Sequence, residues 1–155
     1  MVVVSEDGLR SEIVLDTSVA VKFFLPEELR EEALALLSAV EHGEVMLLAP
    51  STIQPEWFNA LWQQHRREKL SRDEIGEHWS HFIATPIDLY SPEDLIPRAV
   101  QIALETGIIV YDALFLALAE DAETVVITAD DTLLKALGST PYTKLARHLR
   151  AINDQ

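Results

Sequence analysis

The chain has 155 residues, no cysteine and a formal net charge of −14, from 26 acidic residues against 12 lysines and arginines. This length allows one domain with a full hydrophobic core, and the lack of cysteine excludes disulfides and thiolate metal sites. No apolar run approaches the roughly 20 residues of a membrane-spanning helix and no secretory signal opens the chain, so we expect a soluble, cytoplasmic protein.

The charge distribution bears on nucleic-acid binding. A strongly acidic chain argues at first sight against it, because binding depends on neutralising phosphate charge. The basic residues are unevenly spread, however, and seven of the twelve lie in two short stretches. These residues are Arg66, Arg67, Lys69 and Arg72, and then Lys144, Arg147 and Arg150. Such clusters fit a binding track and an ordinary solvated surface about equally well.

The first part of the chain contains an apolar run that ends at an acid. Residues 1–12 form an extension of uncertain structure, in which residues 2–4 fit either a short strand or a loose tail. Residues 13–15 predict a buried central strand of a parallel sheet. This strand delivers Asp16 to the edge of the sheet, where a short helix begins and runs to about Phe24.

The rest of the chain alternates apolar strands with helices. Ser71 and Glu74 have the spacing of a capping box, and Ser91 followed by Pro92 is a typical helix start. The residues after Asp112 are apolar nearly all round, so the helix that it opens should be central and buried. Strands are predicted over residues 45–49, 86–89 and 124–128. Helices are predicted over residues 27–40, from 51 or 54 to 69, over 91–107, 112–119, 131–138 and 144–152, and one further helix begins at residue 71. This pattern predicts a single domain over residues 13–155, built on a parallel sheet that helices cover on both faces.

Four acidic residues recur where strands end or helices begin: Asp16, Glu56, Asp112 and Asp130. In a parallel sheet these positions share one edge, so the four carboxylates should lie close together. Asp16 taken alone is explained as well by an ordinary helix cap. Together the four would repel one another and raise each other's pKa unless cations share the site. Oxygen ligands without nearby histidine suit Mg²⁺ or Mn²⁺, which activate water against phosphate, so phosphodiester hydrolysis is the leading chemistry.

The order and surroundings of these acids resemble a PIN domain, most closely the VapC-type toxins of bacterial and archaeal toxin–antitoxin pairs. The matching stretches are residues 14–18, 55–61, 111–120 and 128–130. The resemblance covers nearly the whole chain from Ile13 to about Thr140. It implies an α/β fold, a PIN-like three-layer α/β/α sandwich with a central, mostly parallel sheet of four to five strands.

The resemblance also implies a metal-dependent endoribonuclease that commonly cuts tRNA or ribosomal RNA. Asp16 and Asp112 would be the principal ligands of Mg²⁺ or Mn²⁺, with Glu56 and Asp130 completing the site directly or through water. Proteins of this family pair as homodimers. Their partner is usually a small VapB-like antitoxin whose tail blocks the acidic cleft, often with a basic side chain.

Other side chains receive supporting roles. Ser18 and Thr128 match positions whose hydroxyls assist the acids, and Asn59 lies one helical turn after the site glutamate, where it would orient that carboxylate. Asp131 departs from the family pattern, which often has a basic residue there, and we favour Asp130 as the acid that serves the metal. The candidates for RNA contact are His65, Arg66, Arg67 and Lys69.

Two other acidic α/β folds and one silent version of the same fold compete with this interpretation. A receiver domain needs an adjacent acid pair after the first strand, but Thr17 follows Asp16. A haloacid-dehalogenase-type phosphatase needs a second acid where Ser18 stands. The serious alternative is a catalytically silent PIN fold that serves as a partner-binding module. The presence of all four acids favours the enzyme.

The remaining aromatic and histidine residues are predicted to be structural. Trp57, Trp62 and Trp79 could stack on bases, but packing in the core or in a dimer interface is the better explanation. His78 and His81 are three residues apart on a helix and could bind a metal, but we expect them to be exposed to solvent.

Overall fold

One parallel sheet of five strands forms the centre of the fold in a computed structural model, which describes residues 11–153. The strands are β1 (Ser11–Leu15), β2 (Val45–Pro50), β3 (Ile87–Tyr90), β4 (Val126–Thr128) and β5 (Ala146–His148). Their order across the sheet is β3-β2-β1-β4-β5, and each neighbouring pair is parallel. The central strand predicted before Asp16 is confirmed, and it is buried because both faces of an inner parallel strand are covered. The strand or tail expected over residues 2–4 lies outside the described residues.

Within residues 11–153, seven α-helices flank the sheet in the expected three-layer α/β/α arrangement. They are α1 (Thr17–Ala20), α2 (Arg30–Glu41), α3 (Ile53–Arg66), α4 (Arg72–Ala84), α5 (Ile96–Thr106), α6 (Val110–Asp121) and α7 (Asp131–Leu137). As predicted, α6 is central: residues 113–119 are all buried, and the helix packs against β1, β2 and α5. In the described part of the chain no single helix is long and apolar enough to cross a membrane. Within these residues α5 and α6 pass the test of length and composition as a pair, which is bent by 115°.

A cluster of aromatic side chains fills the contact between α3 and α4. Trp57 is fully buried and its ring stacks on Phe82, with 4.4 Å between the ring centroids. Trp79 packs on Phe58 at the same centroid distance of 4.4 Å. The structural role predicted for Trp57 and Trp79 is therefore confirmed. Trp62, by contrast, is 50% exposed on the outer side of α3 and takes no part in this core.

The two histidines of α4 differ from each other. His81 is exposed, as predicted, and stacks on Phe24 with 6.4 Å between the ring centroids. The exposure predicted for His78 is wrong, because its ring lies half-buried beside the same phenylalanine at 6.2 Å.

The helix predicted over residues 144–152 is not present in the structure. β5 lies there instead, between two 3₁₀ turns, Pro141–Leu145 and Leu149–Asn153. Leu145 and Leu149 are four residues apart, a spacing that fits one face of a helix and also a short strand between turns. Tertiary pairing decides the outcome, because β5 hydrogen-bonds in parallel to β4 and so satisfies backbone groups on that side of the sheet.

Two helices begin later than predicted, each for a local backbone reason. The helix predicted over residues 91–107 divides into a 3₁₀ turn, Pro92–Asp94, and α5. It divides because Pro97 has no N–H to donate and its ring does not fit inside a continuous helix. α2 begins at Arg30 rather than at residue 27, because Leu29 before it has a left-handed backbone with φ of 66°.

The predicted capping box at the start of α4 is present and gives a first test of the fold. Ser71 Oγ accepts from the Glu74 N–H and Glu74 Oε1 accepts from the Ser71 N–H, both at 3.2 Å. We expect Ser71→Ala to lower the free energy of unfolding by about 1 kcal/mol, the usual loss for a removed N-cap. Ser80→Ala is the matched control, because that exposed hydroxyl only bonds the Gly76 carbonyl inside the same helix. Equal losses in urea denaturation for both variants would contradict the assignment.

Candidate active site

The candidate site lies at the carboxyl edge of the sheet, between β1 and β4. These strands are neighbours, with Leu15 opposite Ile127, and the Asp16 N–H donates to the Ile127 carbonyl at 3.1 Å. From β1 the chain continues to β2 on one side, and from β4 it continues to β5 on the other. Open parallel sheets bind ligands at such a switch point, because loops leaving in opposite directions open a crevice there. Asp16 and Asp130, which follow these strands, therefore sit at the expected binding edge.

Asp16 is buried, with 7% of its surface exposed, and it is the carboxylate held most firmly. It occupies the N-cap position of α1, yet its side chain makes no capping hydrogen bond, so the explanation of Asp16 as an ordinary cap is wrong. Instead Oδ2 accepts from Ser18 Oγ at 2.6 Å and from Thr128 Oγ1 at 2.8 Å. Burial raises the pKa of Asp16, the two hydroxyls lower it, and the nearby charge of Asp130 raises it.

The two hydroxyl side chains join the ends of β1 and β4. Ser18 Oγ accepts from the Ala129 N–H at 2.9 Å, and Thr128 Oγ1 accepts from the Asp130 N–H at 3.0 Å. Each hydroxyl therefore accepts one backbone bond from the chain after β4 and donates its proton to Asp16. The structure thus brings together the two hydroxyls that the sequence singled out, beside the acid that they were expected to assist.

Glu56 reaches the same edge from the first turn of α3. Its Oε2 accepts from Thr17 Oγ1 at 2.9 Å. The pKa of Glu56 is raised to about 7, chiefly by burial and further by the charges of Asp16 and Asp112, while the Thr17 hydrogen bond lowers it. Thr17 was given no role from the sequence. The only signal for it was a second hydroxyl residue directly after Asp16.

Asp112 is the third residue of α6 and comes to the site from the buried central helix. Its pKa is raised to about 6, chiefly by burial and in addition by the charges of Asp16 and Asp130. Because Asp112 and Glu56 each respond to other members of the set, all four predicted acids lie within electrostatic reach of the same edge. The convergence expected from their positions along the chain is present.

The structure separates Asp130 from its neighbour Asp131. Asp130 caps α7, with Oδ1 accepting from the Leu133 N–H at 3.1 Å, and its charge acts on Asp16 and Asp112. The side chain of Asp131 is 86% exposed, and its Oδ1 lies 3.5 Å from His148 Nε2. The geometry thus agrees with the preference for Asp130, while its role in catalysis stays a prediction.

The remaining candidates lie along and beyond α3. Asn59 is exposed, and among the described residues Glu56 receives its side-chain hydrogen bond from Thr17, so the orienting contact predicted for Asn59 is not made. His65 Nδ1 donates to the Leu70 carbonyl at 2.8 Å, which gives this ring a structural role in the turn after α3. Arg66, Arg67 and Lys69, the other candidates for RNA contact, are exposed.

The donor set can be compared with what a divalent cation requires. In the described part of the chain, no three acidic or histidine side chains stand close enough together to form a complete metal-ligand group. Mg²⁺ does not need one, because it is usually held by one or two carboxylates and keeps several waters. Asp16, Glu56, Asp112 and Asp130 supply only oxygen ligands, and the pKa values of the first three are raised, so a cation would relieve the repulsion. The residues present fit a hard cation that is partly bound through water.

Comparison with known proteins gives consistent matches. The family model described as PIN domain matches residues 13–138. Ribonuclease VapC3 of Pyrobaculum aerophilum is 31% identical over 125 residues, which cover 78% of this chain and 91% of that protein. The crystal structure of PAE2754 from the same organism has a TM-score of 0.64 at 20% identity and covers 95% of this chain and 100% of its own.

A second solved structure has the same fold. VapBC2 from Rickettsia felis, in a crystal structure bound to a DNA fragment from its promoter, has a TM-score of 0.60 at 14% identity. The match covers 88% of this chain and 98% of that chain. All four acids of the candidate site fall inside the stretch that the family model matches. The protein belongs to the PIN domain family.

Proposed function

We propose that the protein is a metal-dependent endoribonuclease that hydrolyses phosphodiester bonds in tRNA or ribosomal RNA and acts as the toxin of a toxin–antitoxin pair. The observation that carries this proposal is the convergence of Asp16, Glu56, Asp112 and Asp130 at the switch point of the sheet. The relative named Ribonuclease VapC3 supports the same reaction. The proposal places the protein in the cytoplasm, where both classes of RNA occur.

The four acids divide the work in this proposal. Asp16 and Asp112 would hold Mg²⁺ or Mn²⁺ directly, and Glu56 and Asp130 would do so directly or through water. When bound, such a cation supplies an activated water and neutralises charge on the phosphate. The hydroxyls around Asp16 Oδ2 keep this carboxylate in one orientation. Thr17 donates a hydrogen bond to Oε2 of Glu56. The other carboxylate oxygen of Glu56, Oε1, is therefore the atom suited to accept a proton from the attacking water.

The proposed protein partner is a small VapB-like antitoxin. A toxin–antitoxin complex from Klebsiella pneumoniae, which shares the fold with a TM-score of 0.55 at 16% identity, supports this partner. An edge lined by carboxylates in a chain of net charge −14 is electrostatically complementary to a basic inhibitory segment. A lysine or arginine of the antitoxin would take the place of the cation among the acids.

A homodimer is proposed from an exposed apolar stripe on α5. Ile96, Val100 and Leu104 are each four residues apart on this helix and are all exposed, Leu104 by 81%. Ile109, just before α6, and Tyr111, in its first turn beside Asp112, are further exposed apolar residues. Single exposed apolar residues are common, but a continuous patch is typical of an interface. A second copy of the chain is the occupant that we propose.

The alternative is a catalytically silent PIN fold that binds a partner. One observation favours it: among the described residues no three acids stand close enough together to form a complete metal-ligand group. The enzyme is favoured because the four acids are present and mutually coupled, an arrangement that binding alone does not require.

Cleavage of a mixed tRNA pool and of ribosomal RNA tests the reaction. With purified, antitoxin-free protein we expect discrete fragments in Mg²⁺ or Mn²⁺ and none in EDTA. Asp112→Asn should reduce the rate at least about 100-fold, the upper end of the loss seen when partners of metal ligands are removed. Thr17→Val should reduce it about 10-fold, because Glu56 would lose its orienting hydroxyl.

Two adjacent acids provide the matched control for this assay. Asp130→Asn should impair cleavage, whereas Asp131→Asn should leave it close to wild type, because the Asp131 side chain is exposed. A folded wild-type protein that shows no metal-dependent cleavage of either RNA class would establish the silent binding module instead.

The raised pKa values also predict how stability depends on pH in metal-free protein. Glu56 and Asp112 bind protons more tightly when folded, with pKa values of about 7 and 6, than when unfolded. The folded state therefore carries more protons, and stability falls as pH rises from about 4 to about 7. At pH 7.5 we expect Asp112→Asn to raise the melting temperature by about 2–4 °C, the shift that roughly 1 kcal/mol produces in a domain of this size.

Added Mg²⁺ should raise the melting temperature of the wild type at pH 7.5 and raise that of Asp112→Asn less, because one ligand is missing. Asp88→Asn, a change at an exposed acid on β3, is the control and should behave as the wild type. Stability that is independent of pH between 4.5 and 7 in metal-free protein would contradict the electrostatic account of the site.

Mass measurement by light scattering tests the dimer. The Leu104 side chain is largely exposed, so Leu104→Asp should leave the fold intact while placing a charge in the proposed interface. We expect the wild type to have twice the monomer mass and the variant to be monomeric at micromolar concentration. Ile83→Asp, at another exposed apolar residue on α4, should stay dimeric. A monomeric wild type would reject the interface.

A further inference from the structure

The outer side of α3 runs from the acidic edge to a basic cluster. Glu56 lies in the first turn of the helix, and Ile53, Trp57 and Leu61 on the inner side are buried. The exposed residues that follow Glu56 on the opposite side form what we call the α3 outer face: Asn59, Trp62, Gln63 and Arg66. At a rise of 1.5 Å per residue, Trp62 lies about 9 Å along the helix from Glu56. That is a length of roughly two to three stacked nucleotides.

Trp62 is the first of two observations on this face. Its ring is 50% exposed, and the Arg66 guanidinium carbon lies 5.2 Å from the ring centroid. The other two tryptophans, Trp57 and Trp79, are packed against aromatic neighbours of the core. Trp62 therefore presents an open aromatic surface beside a planar cation, the combination on which unpaired bases stack.

A group of exposed basic side chains is the second observation. Arg66, Arg67, Lys69 and Arg72 lie at the end of α3 and the start of α4, and none is within 4 Å of an acid in the described part of the chain. Elsewhere in the described residues Lys22, Arg98 and Arg150 are paired with glutamates, whereas Arg30, Lys135, Lys144 and Arg147 form no ion pair within 4 Å. The four cations at the end of α3 and the start of α4 are exposed and alternate with Glu68, Asp73 and Glu74, so they offer separate contacts for phosphates rather than a uniformly positive surface.

We propose that the α3 outer face is the substrate subsite that holds a single-stranded RNA segment next to the bond being cut. A base stacks on Trp62, Arg66 supports the ring and contacts a phosphate, and Arg67 and Lys69 follow the backbone further along. A paired base is not free to stack on a side chain, so this subsite selects unpaired RNA. Stacking tolerates any base, so the subsite positions the strand rather than reading its sequence. This inference rests on the proposed ribonuclease function.

Direct binding is measured in the full-length Asp112→Asn background, so that RNA is bound without being cut. The probe is a ten-nucleotide oligouridylate, alone or annealed to oligoadenylate, followed by fluorescence anisotropy. We expect Trp62→Ala to weaken binding of the single strand roughly 5- to 150-fold and Trp62→Phe to weaken it only a few-fold, because phenylalanine keeps a stacking surface. Binding of the duplex should be weak and unchanged by either variant.

Arg66→Ala should weaken binding and reduce the slope of log affinity against log salt by about one, as expected for one lost phosphate contact. Lys144→Ala is the matched control, because Lys144 directly precedes β5, an edge strand that lies on the other side of β1 from β2 and the helix that follows it. This control should change affinity less than two-fold. In the cleaving protein, Trp62→Ala should raise KM and leave kcat nearly unchanged.

The outcomes separate the subsite from the reaction. Cleavage and binding that are unaffected by Trp62→Ala would overturn the subsite while leaving the ribonuclease intact. Folded wild-type protein that neither binds nor cuts any RNA would contradict both the subsite and the ribonuclease function. A Trp62→Ala variant that becomes monomeric, or that binds antitoxin more weakly but RNA normally, would assign the face to a protein partner and overturn the inference. Circular dichroism of each variant establishes that it is folded.

Discussion

The buried carboxylate of Asp16 is the constraint on which the rest of the site depends. Burial disfavours its charge, and the hydroxyls of Ser18 and Thr128, 110 residues apart in the chain, together hold one of its oxygens. Each hydroxyl also accepts a backbone N–H from the chain after β4, so the same bonds fix the ends of two neighbouring strands against each other. Removal of either hydroxyl would leave a buried charged acceptor short of a donor, at a cost of about 1–3 kcal/mol. The acid and the switch point therefore stabilise each other's geometry.

Hydrophobic burial brings the other acids to this edge against their mutual repulsion. Residues 113–119 are all buried, so α6 is fixed by its packing, and Asp112 in its first turn has no freedom to move away from Asp16 and Asp130. Each unit of raised pKa corresponds to about 1.4 kcal/mol, whereas burying a single leucine or phenylalanine side chain contributes about 1.5–3 kcal/mol. The core can therefore hold several carboxylates together that would separate in water. In the proposed function, a bound cation offsets this repulsion.

Much of the fold and the four acids could be predicted from the sequence, because both follow from local patterns. Parallel strands place their carboxyl ends on one edge, so the positions of Asp16 and Asp130 after apolar runs already indicated their convergence. The contact of Thr17 with Glu56 joins residues 39 apart and depends on how α3 packs against the start of α1, which no local pattern encodes. β5 was missed for the same reason: its residues form a strand because β4 offers an unpaired edge. Side-chain pairing across elements was therefore the part that the sequence did not specify.

The net charge alone does not describe the surface along α3, because an acid lies in its first turn and basic residues lie in its last turn. The first turn of α3 carries Glu56 into the set of acids, where burial and, to a smaller extent, the charges of Asp16 and Asp112 raise its pKa to about 7. The last turn carries Arg66 to the exposed basic side chains, which form no ion pair with an acid in the described residues. A phosphate backbone is repelled at the first position and attracted at the second. Affinity for RNA would then come from the basic end, and the acidic end would receive phosphate only when its charge is neutralised. In the proposed function, this separation would let a chain with 26 acids accommodate a polyanionic substrate, and neutralisation of the acidic edge would control productive binding.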